Sequence, residues 1–246
     1  MADVVSVTGF ILSSMPVGDY DRRVVILSRE LGKIAAFAKG ARRPNSHLIG
    51  VTRPFIFGTF EVYRGRDSYT IQKANVTNYF EELVSDLDGV LYGYYFAELA
   101  EYYGRENLDA ADMINLLYVA FKALVNKSLP NELVRYIYEI RLIAVNGECP
   151  DFFSCAGCGS EKELQLYSDK ENGMYCVECA ASSGDGIVLQ SSTLYTLQYI
   201  ITAPLTKLFN FVVKADVLNE LKKVVNRIEF ITFDKHFKSK EMLDIG

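Results

Sequence analysis

Tryptophan is absent from this chain and histidine occurs only twice, as His47 and His236. Neither histidine stands in an acid, base or metal-ligand spacing, so histidine-centred catalysis is not expected and both rings are assigned to the surface. The phosphate-binding pattern Gly-x-x-x-x-Gly-Lys-Ser/Thr is missing, which argues against ATP hydrolysis by this chain. No stretch of about 18 uninterrupted apolar residues occurs, because Lys122 breaks the best candidate. The opening Met1-Ala2-Asp3-Val4-Val5 lacks the basic start, apolar run and small-residue cleavage site of a secretory signal. A cytosolic protein is therefore expected. There is no internal repeat and no low-complexity segment.

What is present is the composition of a folded protein. Of 246 residues, 50% are hydrophobic and 23% charged, enough to bury a sizeable core. The net charge of −5 is unevenly spread: residues 1–80 hold 11 Lys and Arg against 6 Asp and Glu, and the remainder 15 against 25. A basic module joined to an acidic body suits a division between phosphate binding and other partners.

The hydrophobic period changes near Tyr79. Before it come five β-rich runs, Val4–Leu12, Arg23–Ser28, Lys33–Lys39, Phe55–Tyr63 and Ser68–Tyr79, with turns at Glu30-Leu31-Gly32 and Arg64-Gly65-Arg66-Asp67. Five short strands fit a small closed barrel of the OB-fold kind, with an SH3-like barrel as the rival. After it, Leu83–Tyr103, Asp109–Asn126, Glu132–Asn146, Thr193–Ile201 and Val217–Ile228 space apolar residues as helices do, with Pro130 at a start and Gly147 as a left-handed cap. The expectation is an α+β chain: an N-terminal OB-fold-like β-barrel over 1–80, then an α-helical domain over 81–246 interrupted by a cysteine unit at about 150–185.

Cys155-Ala-Gly-Cys158 and Cys176-Val-Glu-Cys179 are the strongest chemical signal. Two such knuckles supply four thiolates that can close around one zinc ion, with Gly157 and Gly159 easing the turn. A site filled by four protein ligands keeps no position for water and is structural. The unit between them is expected to be a loop with Leu164, Leu166, Tyr167, Met174 and Tyr175 as its small core. Cys149, beside Pro150, is expected to be a buried thiol.

The second signal is a set of cations on the β-rich segment: Arg22, Arg23, Lys33, Lys39, Arg42, Arg43, Arg53, Arg64 and Arg66. Lys39-Gly40-Ala41-Arg42-Arg43-Pro44 is the densest part, a glycine-opened, proline-ended loop suited to clamping phosphates; the plainer reading is a solvated basic face. Tyr20, Phe37, Phe55, Phe57, Tyr63 and Tyr69 could stack on unpaired bases, but most are expected in the barrel core. Asp19 and Asp21 could ligate a nuclease metal. Beside Arg22 and Arg23, a turn-forming role fits them better.

The stretch YDRRVVILSRELGKIAAFAKGARRP, from Tyr20 to Pro44, resembles the N-terminal signature of the RecO family of DNA repair proteins. The order of parts matches as well, with the cysteine unit opening near Asp151-Phe-Phe-Ser-Cys155. The resemblance implies a recombination mediator, not an enzyme, of the bacterial cytosol and nucleoid. Such a protein binds single- and double-stranded DNA, anneals strands and, with RecR, helps load RecA onto strands coated by single-strand-binding protein. It makes Lys39–Arg43 with Arg22 and Arg23 the DNA contact, and the four cysteines the zinc site. For the acidic, apolar tail of single-strand-binding protein, Lys122, Arg135 and Arg141 are the candidates. A zinc-ribbon adaptor of transcription or translation would share the cysteines, and a metal-dependent nuclease would need converging carboxylates.

Overall fold

The structure is a computed structural model that describes residues 4–66, 68–183 and 186–245; Asp67, the last residue of the expected Arg64–Asp67 turn, lies outside them. Its first five elements are β1 (Val4–Val17), β2 (Asp21–Ser28), β3 (Gly32–Ala38), β4 (Phe57–Arg64) and β5 (Tyr69–Asn78). They close into a barrel in the order β1-β2-β3-β5-β4. β1 is longer than its sequence pattern suggested because it serves two neighbours. Val4–Phe10 pairs with β4 and Gly9–Val17 with β2, so that Gly9 and Phe10 serve both neighbours, and an irregularity between Ile11 and Ser13 interrupts the β2 pairing. At Gly9 the strands come so close that a Cβ would lie 1.8 Å from the Leu27 carbonyl oxygen.

Alternation fixes the barrel interior. Along β3 and β4 every second residue is buried, and Val7, Ile11, Val24, Ile26, Ile34, Ala36, Phe60, Val62 and Ile71 fill the centre. Each fully buried aliphatic or aromatic side chain contributes about 1.5–3 kcal/mol. The fold class is the expected one: a closed OB-fold-like barrel, then helices.

Helices follow as α1 (Glu81–Ser85), α2 (Leu87–Tyr103), α3 (Ala111–Asn126) and α4 (Asn131–Val145). The single helix expected from Leu83 to Tyr103 breaks at Asp86, whose backbone is extended. Next come β6 (Asp151–Cys155), β7 (Leu164–Ser168), β8 (Gly173–Cys176), α5 (Val177–Ser183), β9 (Ile187–Val188), α6 (Ser191–Thr202), α7 (Leu205–Leu208), α8 (Ala215–Thr232) and α9 (Lys238–Ile245).

The chain forms two compact units, Met1–Asn126 with Phe237–Gly246, and Lys127–His236. In the first, the barrel packs on helices through Phe10, Phe57, Phe80, Tyr118 and Phe121, whose ring centroids lie 4.8–6.2 Å apart. α9 joins this unit: Phe237 sets its ring against Tyr95 and Tyr102, and Ser239 donates to the Glu98 carboxylate. One barrel end is covered by the segment after α2. There Lys33 N–H donates to the Arg105 carbonyl at 3.0 Å and Asn107 N–H to the Leu31 carbonyl at 2.8 Å. Gly32, at φ +65°, has no room for a side chain, since a Cβ would meet the Arg105 oxygen at 2.1 Å.

In the second unit α4 packs against α6 and α8, with every residue from Leu133 to Ile140 buried. Gly147 takes φ +77° behind it, as expected of a left-handed cap. The cysteine segment is not a loop. β6, β8, β7 and β9 form a four-stranded sheet in that order, and the second knuckle spans the end of β8 and the start of α5.

Candidate metal centre and nucleic-acid surface

Short strands deliver the cysteines. Cys155 ends β6 and Cys176 ends β8, while Cys158 lies in the turn after the first and Cys179 in the first turn of α5. All four sulfur atoms lie within 4.8 Å of one another, and Cys158 and Cys176 are 3.8 Å apart. A tetrahedron with metal–sulfur bonds of about 2.3 Å has edges of about 3.8 Å, so the cage matches that geometry. Gly159 takes φ +73° in the knuckle turn. At Gly157 a Cβ would press to 3.2 Å from the Cys179 sulfur.

The protons tell the same story. Burial works against ionisation of Cys155, but the N–H groups of Cys176, Cys158 and Gly157 outweigh it and bring that thiol down to about 6. Cys179, held by the side chains of Cys158 and Cys176, is pushed up to about 12. Four sulfurs this close cannot all ionise against one another without a cation among them, and the donor set suits a soft tetrahedral ion. Beneath the cage lies a small core of Leu166, Tyr167 and Met174, with Phe152 added to those foreseen; Leu164 and Tyr175 are half-buried. Cys149 is half-buried rather than buried, and its thiol is pushed up to about 12 by desolvation and the Asp151 carboxylate.

On the barrel, strand register sorts the predicted cations by end. β1 and β2 turn at Gly18–Tyr20, and Arg22 and Arg23 stand opposite Ala38 and Phe37 of β3. The strand then runs straight into exposed Lys39, Arg42 and Arg43. Gly40 needs its φ of +67° for this turn, and its N–H is received by the Asp21 carboxylate at 2.7 Å. Arg42 N–H donates to the Tyr20 carbonyl at 2.8 Å and its guanidinium to the Gly18 carbonyl at 3.1 Å. Ala41, with no exposed surface, plugs the loop into the barrel core. Asp21 thus pins the loop, and Asp19 lies in the β1–β2 turn.

Arg64 and Arg66 close β4 at the other end, where β5 begins alongside β3. Lys33 is also there, half-buried, with its ammonium donating to the Glu101 carbonyl at 2.7 Å. Arg53 is exposed in the β3–β4 connection, in a groove with Pro54, Ile56, Tyr79 and Glu81. Of the aromatics, Phe55 and Tyr69 are buried, Phe37, Phe57 and Tyr63 are half-buried, and Tyr20 is exposed with the Arg43 guanidinium 4.9 Å above its ring. His47 and His236 are exposed.

The three helix cations diverge. Lys122 is exposed on α3. Arg141 is half-buried and donates to the Ile200 carbonyl at 3.2 Å. Arg135 is no surface charge: it is 7% exposed, bonds the Glu139 carboxylate at 2.7 Å and lies 3.6 Å from Glu229. The all-apolar surroundings of α4, Leu133, Val134, Tyr136, Ile137, Tyr138 and Ile140, were the signal that Arg135 had no solvent face. Burial, then repulsion by Glu229, raises the Glu139 carboxyl well above its usual range.

Residues 1–80 match the family model described as "Recombination protein O N terminal", and residues 84–241 match "Recombination protein O C terminal". The chain belongs to the recombination protein O family. It is 30% identical to the DNA repair protein RecO of Acetivibrio thermocellus, over 96% of this chain and 94% of that one. The protein of the same name from Alkaliphilus metalliredigens is 27% identical over 97% and 98% of the two chains, and that of Bacillus subtilis 27% over 96% and 92%. The full-length match spans barrel, helices and cysteine unit together. No helix among the described residues is long and apolar enough to cross a membrane.

Proposed function

We propose that this chain acts in DNA repair as a recombination mediator that performs no covalent chemistry. It binds single- and double-stranded DNA and promotes annealing of complementary strands. With RecR, it assists the loading of RecA onto strands coated by single-strand-binding protein. Family membership supports the repair role, since the relatives carry the name DNA repair protein RecO. The observation that carries DNA binding is the gathering of Arg22, Arg23, Lys39, Arg42 and Arg43 at one barrel end, on a loop fastened by Asp21 and plugged by Ala41. Lys39, Arg42 and Arg43 are exposed on the loop, while Arg22 and Arg23 are half-buried on β2 beside it, with the Arg22 guanidinium donating to the Ser14 hydroxyl at 3.1 Å. Cations held in this way release counterions when they meet phosphates, which favours affinity without sequence reading. Arg53 in the β3–β4 connection and Arg64 and Arg66 at the other barrel end add exposed cations outside this cluster. Lys33 supports that other end from within, through its bond to α2.

Cys155, Cys158, Cys176 and Cys179 hold one zinc ion, which ties β6, β8 and α5 together and takes no part in a reaction. For the acidic, apolar tail of single-strand-binding protein, a groove of about 550 Å³ in the second unit suits better than Arg135. Tyr195, Tyr199, Phe211 and Val212 give it an apolar floor and Lys214 a cation, with Asp216 at the edge. The test is strand annealing by the purified protein. Complementary strands mixed with it should pair faster than alone, and no acceleration at any salt concentration would refute mediation.

A further inference from the structure

Tyr20 is an unusual residue for the tip of a β-hairpin, where small polar residues shape the turn. It follows Gly18, whose φ of +55° opens the β1–β2 turn into free space. Half of its surface is exposed. Nothing in the barrel core uses it, yet its surroundings are built. Its own carbonyl receives the Arg42 N–H at 2.8 Å, the neighbouring Asp21 holds Gly40, and Arg43 lays its guanidinium over the ring, 4.9 Å from the centroid. The most exposed aromatic ring of the barrel's β1–β2 turn therefore stands among the cations assigned to phosphate.

From this juxtaposition we infer that Tyr20 is a stacking platform for one unpaired base, and that it gives this end of the barrel its preference for single strands over duplex. The inference rests on the DNA-binding reading and goes beyond it. Cations alone cannot make that distinction, because both forms of DNA present phosphates. An aromatic face can: bases in a duplex are covered by their neighbours, whereas an unpaired base has a free π-face. A solvent-exposed guanidinium on a ring is a weaker contact than a stacked base. Arg43 therefore keeps the ring covered in the free protein and yields it when a strand arrives. Its charge then passes to an adjacent phosphate, or it stacks on the far side of the base.

The test uses the full chain and three probes: an oligonucleotide, its duplex, and the same strand with abasic sites. Tyr20→Ala should lower affinity for the intact strand by about 5- to 150-fold, the range of one lost base stack. Duplex affinity should change less than about twofold, and Tyr20→Phe should keep wild-type values for both. The wild-type protein should bind the abasic strand as weakly as Tyr20→Ala binds the intact one. Equal losses for strand and duplex, or no loss in Tyr20→Ala, would overturn the stacking role. Arg42→Glu with Arg43→Glu reports separately on the underlying reading: if that variant binds all three probes like the wild type, the phosphate surface is wrong, whatever Tyr20 does. A wild-type protein that binds no probe removes both.

Discussion

Replacing Arg42 and Arg43 together by alanine removes two exposed cations and nothing from the barrel core, because the plug of this loop is Ala41. Each lost phosphate contact lowers the slope of log affinity against log salt by about 0.7 on single strands and 0.9 on duplex. Two contacts give about 1.4 and 1.8. Between 50 and 200 mM salt, a fourfold change, the advantage of wild type over variant should therefore shrink about 7-fold on single strands and about 12-fold on duplex. The loss should be the same for unrelated sequences, since phosphates carry no code. Fluorescence anisotropy with labelled oligonucleotides at four salt concentrations measures both slopes, and circular dichroism confirms that the variant is folded. A variant with wild-type slope would show that Arg42 and Arg43 only face solvent. A variant with altered slope on one sequence alone would contradict backbone recognition.

Four further outcomes follow from the same structure. Cys176→Ser should lose bound zinc, read by elemental analysis, and open residues 150–183 to protease while β1–β5 stay protected. Arg135→Met removes the guanidinium that bonds Glu139 and lies 3.6 Å from Glu229, and should cost about 3–5 kcal/mol in urea unfolding; an unchanged midpoint would refute the buried network. Glu139 has a raised folded-state pKa, so folding binds a proton above the ordinary carboxylate range, and this group's contribution to stability declines as pH rises from about 4.5 towards its raised folded value. Glu139→Gln should flatten that decline, and an unaltered pH profile would reject the assignment. Gly40→Ala forces a side chain to φ +67° and should weaken DNA binding through the displaced loop, with little change in melting temperature.

The barrel was legible because its strands alternate: β3 and β4 bury every second residue, and the turn at Gly32 announces itself by its glycine. The four cysteines were legible from spacing alone. The sheet around them was not, because strands of four or five residues, with an irregularity between Leu164 and Leu166, are too short to show a period. The break at Asp86 was hidden in continuous helical spacing, since extended backbone at one residue leaves no compositional trace. Nor does α9 show itself: Lys238, Lys240 and Glu241 make it polar, and it is held by Phe237 and Ser239 at its start. Arg135 was misread as a surface cation because a charged residue is ordinarily exposed. Its partner Glu139 lies four residues along the same helix, and the second carboxylate comes from α8, which no local pattern discloses. The partition of eight of the nine cations between the two barrel ends, with Arg53 apart in the β3–β4 connection, needed the strand register.

The return of α9 to the first unit carries a consequence for synthesis. Residues 1–126 emerge from the ribosome first, but Phe237 and Ser239, which close over Tyr95, Tyr102 and Glu98, arrive only after the whole of Lys127–His236 has been made. At elongation rates of about 5–20 residues per second that interval is on the order of ten seconds. Throughout it, Tyr95 and Tyr102 stand uncovered by their final partner while the cysteine unit is being translated. A nascent chain stalled before Phe237 would therefore carry a folded barrel with an unfinished helical face, a natural handle for chaperones and proteases that survey incomplete proteins.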